Sequence, residues 1–185
     1  MFNQLLNIAS STTWQEAQSV NNCSQQVLSW LLDESSLTKK LEQYCQTFKV
    51  QVRQQITTNA EITPLSPHFS NARKILVREV FLYCDQQAHV FAQTEIPSDT
   101  LSDSQQALAH IGSESLGRFL FQNTSLKRGT IEIAEFKSGS LIHQLCQTLA
   151  QNCDHSLWAR RSIFYIENKP LLVSEVFLPA SEIYQ

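Results

Sequence analysis

The chain has 185 residues, of which 42% are hydrophobic and 17% charged, and its net charge is −3. That length suits one domain over residues 1–185 that buries about 70% of the surface its unfolded form exposes, and the ordinary composition excludes a low-complexity or fibrous protein. The slightly acidic balance offers no bulk attraction to nucleic acid or anionic membrane, so an anionic ligand would have to be held by particular Arg or Lys side chains.

The opening residues MFNQLLNIA carry no basic side chain, and the first basic residue is Lys39. Neither a secretory signal nor a mitochondrial presequence is expected, and no apolar stretch approaches the roughly 20 residues that span a bilayer. The cytoplasm is the expected compartment. Residues 14–20 and 24–32 read as helical, with Val27, Leu28, Leu31 and Leu32 on one amphipathic face. Residues 33–36 (DESS) break the pattern, and Ser35 or Ser36 can cap a second helix over 37–45. Residues 30–45 thus read as a helical hairpin, with too few basic residues in its turn for a DNA-reading role.

Strands follow. Phe48, Val50 and Val52 alternate with polar residues, 57–71 reads as a loop, and 74–84 and 88–96 form an antiparallel hairpin that ends at Pro97. Residues 98–111 are expected as a helix, 116–121 as a short helix, 126–136 as a strand and 140–153 as a helix. A closing hairpin pairs 161–166 with 171–178 across the turn at Glu167, Asn168 and Lys169. Hairpins and whole helices joining strands in this way predict an α+β fold with a largely antiparallel sheet and helices on one side.

Five Cys (Cys23, Cys45, Cys84, Cys146, Cys153) show no CxxC, and five His are scattered, so reduced thiols and no metal site are expected. GxGxxG, GxxxxGK[ST] and GxSxG are all missing, which leaves nucleotide binding and serine-hydrolase chemistry without support. What stands out is charge inside apolar strands. Glu175 lies within PLLVSEVFLP (170–179), and Arg78 and Glu79 lie within KILVREVFLY (74–83). A buried carboxylate or guanidinium costs several kcal/mol unless it is paired, so a pocket on a sheet floor is one reading. There Arg78 could fork onto a carboxylate, and Glu175 could accept from a hydroxyl or serve as acid or base. A structural pair, Arg78 with Glu79 or with Glu175, is the other reading, and pattern alone leaves the two level. Arg160 and Arg161 read as surface charge with snorkelling stems, and Glu132 and Glu135 as solvent-facing.

Taken together, several motifs resemble the chorismate lyase (chorismate pyruvate-lyase) family. They are WLLDESSLTKKLE (30–42), VRE (77–79), LGRFLF (116–121), RGTIEI (128–133), LWARRS (157–162) and KPLLVSEVFLPA (169–180), in family order from Trp30 to the C-terminus. The resemblance implies an antiparallel sheet with helical flaps closing over a buried ligand pocket. It implies a lyase that converts chorismate to 4-hydroxybenzoate and pyruvate, the entry step to ubiquinone's aromatic ring, with no metal or organic cofactor and acting as a monomer. Carried over by motif, Arg78 grips the ring carboxylate, Glu175 contacts the ring hydroxyl, and Leu37 and Leu116 supply backbone contacts. Gln93, in FAQTEIP (91–97), stands where the family pattern has an Arg, which puts the geometry around a second carboxylate in question. Residues 136–156 match less well and carry no assignment. The competing expectation is a non-catalytic aromatic-acid sensor of the same fold, although such sensors carry a DNA-binding domain and no basic winged-helix segment precedes the sheet here.

Overall fold

The computed structural model describes residues 6, 8, 11–20, 23–59, 69, 74–101 and 103–185. Its strands are β1 (Gln15–Glu16), β2 (Phe48–Asn59), β3 (Lys74–Cys84), β4 (Gln87–Pro97), β5 (Lys127–Arg128), β6 (Glu132–Phe136), β7 (Leu157–Ile166) and β8 (Lys169–Phe177). They form one sheet in the order β1-β6-β7-β8-β4-β3-β2, with β5 also pairing with β7. Every pairing is antiparallel.

Four α-helices accompany the sheet among the described residues: α1 (Gln25–Leu31), α2 (Leu37–Leu41), α3 (Leu116–Gln122) and α4 (Leu141–Thr148). The hairpin helices start where their caps dictate. Ser24 Oγ accepts from Val27 N and Ser36 Oγ from Lys39 N, satisfying backbone donors that have no partner within the helix. Ser115 does the same for α3 through Arg118 N.

Strand alternation sorts the core. Even-numbered positions of β3, β4 and β7 share one face with odd-numbered positions of β8, as the cross-strand pairs Val80↔Ala92, Ala92↔Glu175 and Arg160↔Glu175 require. On that face Trp30, Leu31, Leu37 and Leu41 of the hairpin pack over Val80, Leu82 and Val90. Leu116 and Leu120 of α3 pack nearby on Phe164 and Val173. The opposite face carries Phe81, Phe91 and Val176 and is covered by Ile142 and Leu145 of α4. Helices on one side therefore describes α1, α2 and α3, whereas α4 lies across the sheet from them. Each apolar side chain fully buried in these layers contributes about 1.5–3 kcal/mol.

Several local expectations change. Residues 14–20 hold the short strand β1 and a single 3-10 turn at Ala17–Ser19, because β1 adds to the edge of β6. Residues 98–101 and 103–110 are 3-10 rather than α-helical. The strand beginning at Phe48 runs on to Asn59, so the expected loop loses its first three residues; 60–68 and 70–71 lie outside the described residues. The β7–β8 turn is tighter than the spacing suggests. Glu167 (φ 51°) and Asn168 (φ 65°) are both left-handed, a two-residue geometry whose twist matches that of the strands. Ile166 then pairs with Lys169, and Arg160 falls opposite Glu175.

Candidate active site

A cavity lies between this face of the sheet, which carries Val80, Ala92 and Glu175, and the two helical flaps. Val80, Ala92, Thr94 and Val173 form a floor of small and medium side chains. Leu37 and Thr38 of the hairpin flap, with Ser115, Leu116 and Leu120 of the second flap, form the roof. Arg78, Arg128, Arg160 and Glu175 also line it.

The flaps meet over the cavity. Thr38 Oγ1 and Ser115 Oγ are 2.6 Å apart, and Arg118 pairs with Glu42. Gly117 permits this approach, since a Cβ there would stand 3.1 Å from Thr38 Oγ1. Leu37 and Leu116 are the first residues of α2 and α3, so their N–H groups sit in the first turn, where the helix supplies no acceptor.

Arg78 is 2% exposed, and its Nη2 donates to the carbonyls of Gly112 (2.9 Å) and Glu114 (3.2 Å). Its Nε has no partner, and no carboxylate pairs with it among the described residues. Burial pushes its guanidinium down to about 10. Arg78 is thus a buried cation whose charge no carboxylate offsets among the described residues.

Neither structural pair weighed from the sequence forms. Glu79 points to the opposite face, where it is fully buried and pairs with Arg53. There it also accepts from Gln54 Nε2 (2.8 Å), Gln93 Nε2 (2.8 Å) and Leu6 N (2.7 Å). The irregularity between Val52 and Gln54 brings consecutive residues of β2 to one carboxylate. Gln93 belongs to this network, so its side chain is turned away from the cavity and the Arg-to-Gln departure does not alter the cavity wall.

Glu175 pairs with Arg160, whose Nε donates to Oε2 at 2.7 Å. Arg160 and Arg161 are 2% and 7% exposed, which corrects their reading as surface charge. Nη1 of Arg160 donates to the carbonyls of Trp30 (3.0 Å), Leu31 (3.4 Å) and Asp33 (2.6 Å), the end of α1. These carbonyls lack intrahelical donors and carry the negative end of the helix dipole, which is why a buried cation belongs there. Arg161, on the other face, donates to Glu132 Oε2 at 2.7 Å and stacks over Trp14, so Glu132 is paired rather than simply solvated.

Arg128 completes the wall. Its Nε donates to Ser162 Oγ (3.0 Å), its Nη1 to the Asp33 carbonyl (3.3 Å), and it lies over the Phe164 ring. Three guanidinium groups therefore face one carboxylate, and the cavity is strongly electropositive in a chain of net charge −3.

Arg78 and Glu175 stand two strands and one same-face step apart, about 12 Å between Cα atoms at ~4.8 Å per strand. Sequence reasoning missed Arg128 and Arg160. The signal for Arg160 lay in the turn, since a two-residue loop at Glu167 and Asn168 sets it opposite Glu175.

Fold and site define an α+β protein with an electropositive cavity between an antiparallel sheet and two helical flaps. Comparison with known proteins places it more closely. The family model for chorismate lyase matches residues 8–185, and the chain belongs to that family. It is 56% identical over 177 residues to a probable chorismate pyruvate-lyase of Psychromonas ingrahamii, covering 96% of this chain and 95% of that protein. A chorismate pyruvate-lyase of Hamiltonella defensa is 34% identical over 166 residues, covering 86% and 81%. Among solved structures, PhnF of Mycobacterium smegmatis aligns with a TM-score of 0.53 at 11% identity, covering 80% of this chain and 65% of that one. Gene product SA0254 of Staphylococcus aureus aligns at 0.52 and 14%, covering 79% and 89%. Those two likenesses concern the fold alone.

Proposed function

We propose that this protein is a lyase that splits chorismate into 4-hydroxybenzoate and pyruvate, supplying the aromatic ring of ubiquinone from the cytoplasm. The observation that carries the reading is Arg78, a buried guanidinium with no carboxylate partner among the described residues, lining the same cavity as Glu175. Chorismate bears a ring carboxylate and, across the ring, a hydroxyl. Arg78 takes the carboxylate, and the backbone N–H groups of Leu37 and Leu116 add contacts from the flaps. Glu175, with Oε2 engaged by Arg160, offers Oε1 to the hydroxyl.

The chemistry asks little of the protein beyond placement. The C–H bond at the hydroxyl-bearing carbon breaks, and its electron pair completes the aromatic ring. The neighbouring C–O bond to the enolpyruvyl group breaks, and the ether oxygen takes that pair. The proton ends on the enolpyruvyl methylene carbon, giving pyruvate. Aromatisation drives the reaction, while the cavity aligns the departing proton and the ether and stabilises charge on the leaving oxygen. Purified protein given chorismate with EDTA should release pyruvate and 4-hydroxybenzoate in equal amounts, at the rate seen without EDTA. Tight 4-hydroxybenzoate binding with no pyruvate released would establish the sensor alternative instead.

The closed flaps also predict that product leaves slowly and inhibits strongly. Gly117→Ala tests this, because its methyl group must push Thr38 and the hairpin outward by a few tenths of an ångström. The inhibition constant for 4-hydroxybenzoate should rise about three- to tenfold, with kcat unchanged or higher. An unchanged inhibition constant, measured by initial rates at graded product concentrations, would separate flap contact from product retention.

A further inference from the structure

Arg128 takes no part in the contacts just assigned, yet it is the cavity's second cation without a carboxylate. Ser162 Oγ and the Asp33 carbonyl accept from its Nε and Nη1, and no acceptor for Nη2 exists among the described residues. The carboxylates nearby are engaged elsewhere: Glu175 Oε2 by Arg160, and Asp33 by Lys40 at 2.8 Å. Glu34 acts on it only through space. Arg128 and Arg160 also donate to the same Asp33 carbonyl, so two like charges are held side by side. Burial and the charge of Arg160 both disfavour the charged form of Arg128. Crowded cations in a cleft mark a place where an anion is expected.

Its place in the sheet says which anion. Arg128 pairs with Phe164 across β5 and β7 and reaches over Ser162. Ser162 pairs with Val173, one same-face step from the Arg160–Glu175 pair. Arg78 lies in the same cross-strand row as Ser162, but three strands away, about 14 Å. The head of Arg128 is thus at the Glu175 end of the cavity. In chorismate the enolpyruvyl ether and the hydroxyl occupy neighbouring ring carbons, opposite the ring carboxylate. With Arg78 on the ring carboxylate and Glu175 on the hydroxyl, the second carboxylate projects toward the Arg128 wall.

We infer that Arg128 holds the enolpyruvyl carboxylate of the substrate, fixing the ether for cleavage and steadying the leaving enolpyruvate; this rests on the chorismate reading above. The product 4-hydroxybenzoate lacks that carboxylate, so Arg128 separates substrate from product where Arg78 does not. The planar guanidinium suits a bidentate grip on a carboxylate, which lysine reproduces only as a point charge.

The test uses the full chain, its Arg128→Met and Arg128→Lys variants, and two ligands read by calorimetry. One ligand is 4-hydroxybenzoate, and the other is 3-(carboxymethoxy)-4-hydroxybenzoate, which restores an ether-linked carboxylate beside the hydroxyl without being able to eliminate. Arg128→Met should weaken the dicarboxylate at least tenfold and 4-hydroxybenzoate less than threefold. Its kcat/KM for chorismate should fall at least a hundredfold, with Arg128→Lys recovering part of both losses. Equal losses for the two ligands would show that Arg128 merely supports the hairpin through Asp33, and losses on neither would remove it from the site; both overturn the inference. A wild-type protein that binds neither ligand and releases no pyruvate would instead overturn the chorismate reading itself.

Discussion

Arg78→Met is expected to lower kcat/KM for chorismate by about a thousandfold or more while leaving the protein as stable as before, or more stable by about 1–3 kcal/mol. Activity falls because the ring carboxylate loses its only cation at that end of the cavity. Stability does not fall because Arg78 has no acidic partner to strand, and Met replaces it with apolar volume. Burial holds its pKa at about 10, well below the value of an unfolded arginine. A base whose pKa falls on folding releases its proton sooner when folded, so the penalty is fully present at every pH below 10, neutral pH included. It declines only as pH rises through that window. The carbonyls of Gly112 and Glu114 lose a donor, which offsets part of the gain. Urea unfolding at pH 7 measures one half of the prediction and initial rates the other. A stability loss above about 2 kcal/mol would mark Arg78 as a structural cation.

Arg160→Met should do the reverse, costing about 3–5 kcal/mol of folding stability. Arg160 is 2% exposed, and its removal strands the Glu175 carboxylate together with the carbonyls of Trp30, Leu31 and Asp33. The hairpin flap is tied to the sheet through those carbonyls, so ligand retention should weaken along with stability. Adding Glu175→Gln to Arg160→Met should cost less than the sum of the two single changes, because the second removes the charge the first exposed. Strict additivity in urea melts would show that the pair at 2.7 Å contributes no coupling. The contrast between Arg78 and Arg160 is the physical distinction the site turns on. One guanidinium is neutralised by Glu175, and the other has no carboxylate partner among the described residues.

Much of this was legible before any coordinates. Apolar, β-prone runs around Arg78 and Glu175 marked two buried strands with charge at their centres, and β3 runs from Lys74 to Cys84 as expected. The cap at Ser36 placed the second helix of the hairpin that roofs the cavity. Residues 14–20 misled, because a weak helical pattern yields to the edge of a sheet when pairing is on offer. The 98–110 region misled less: the chain does coil there, in the tighter 3-10 form. Arg160 and Arg161 misled most, since two adjacent arginines resemble solvated surface. On a strand buried on both faces they point to opposite sides, and each finds its own carboxylate.

The sequence by itself determined local matters: where most strands and the hairpin cap fall, that Arg78 and Glu175 lie at the centres of two apolar strands, and which family the motifs resemble. Tertiary structure decided the partnerships. Glu79 went to Arg53 and Gln93 rather than to its neighbour Arg78. Arg160 met Glu175, Arg128 crossed to Ser162, and Thr38 met Ser115 over a separation of 77 residues. The reason is that periodicity assigns a side chain to a face, whereas a partner is chosen by register between strands and by packing of whole layers. A change of one residue in a single turn length, as at Glu167 and Asn168, would have set Arg160 against a different neighbour.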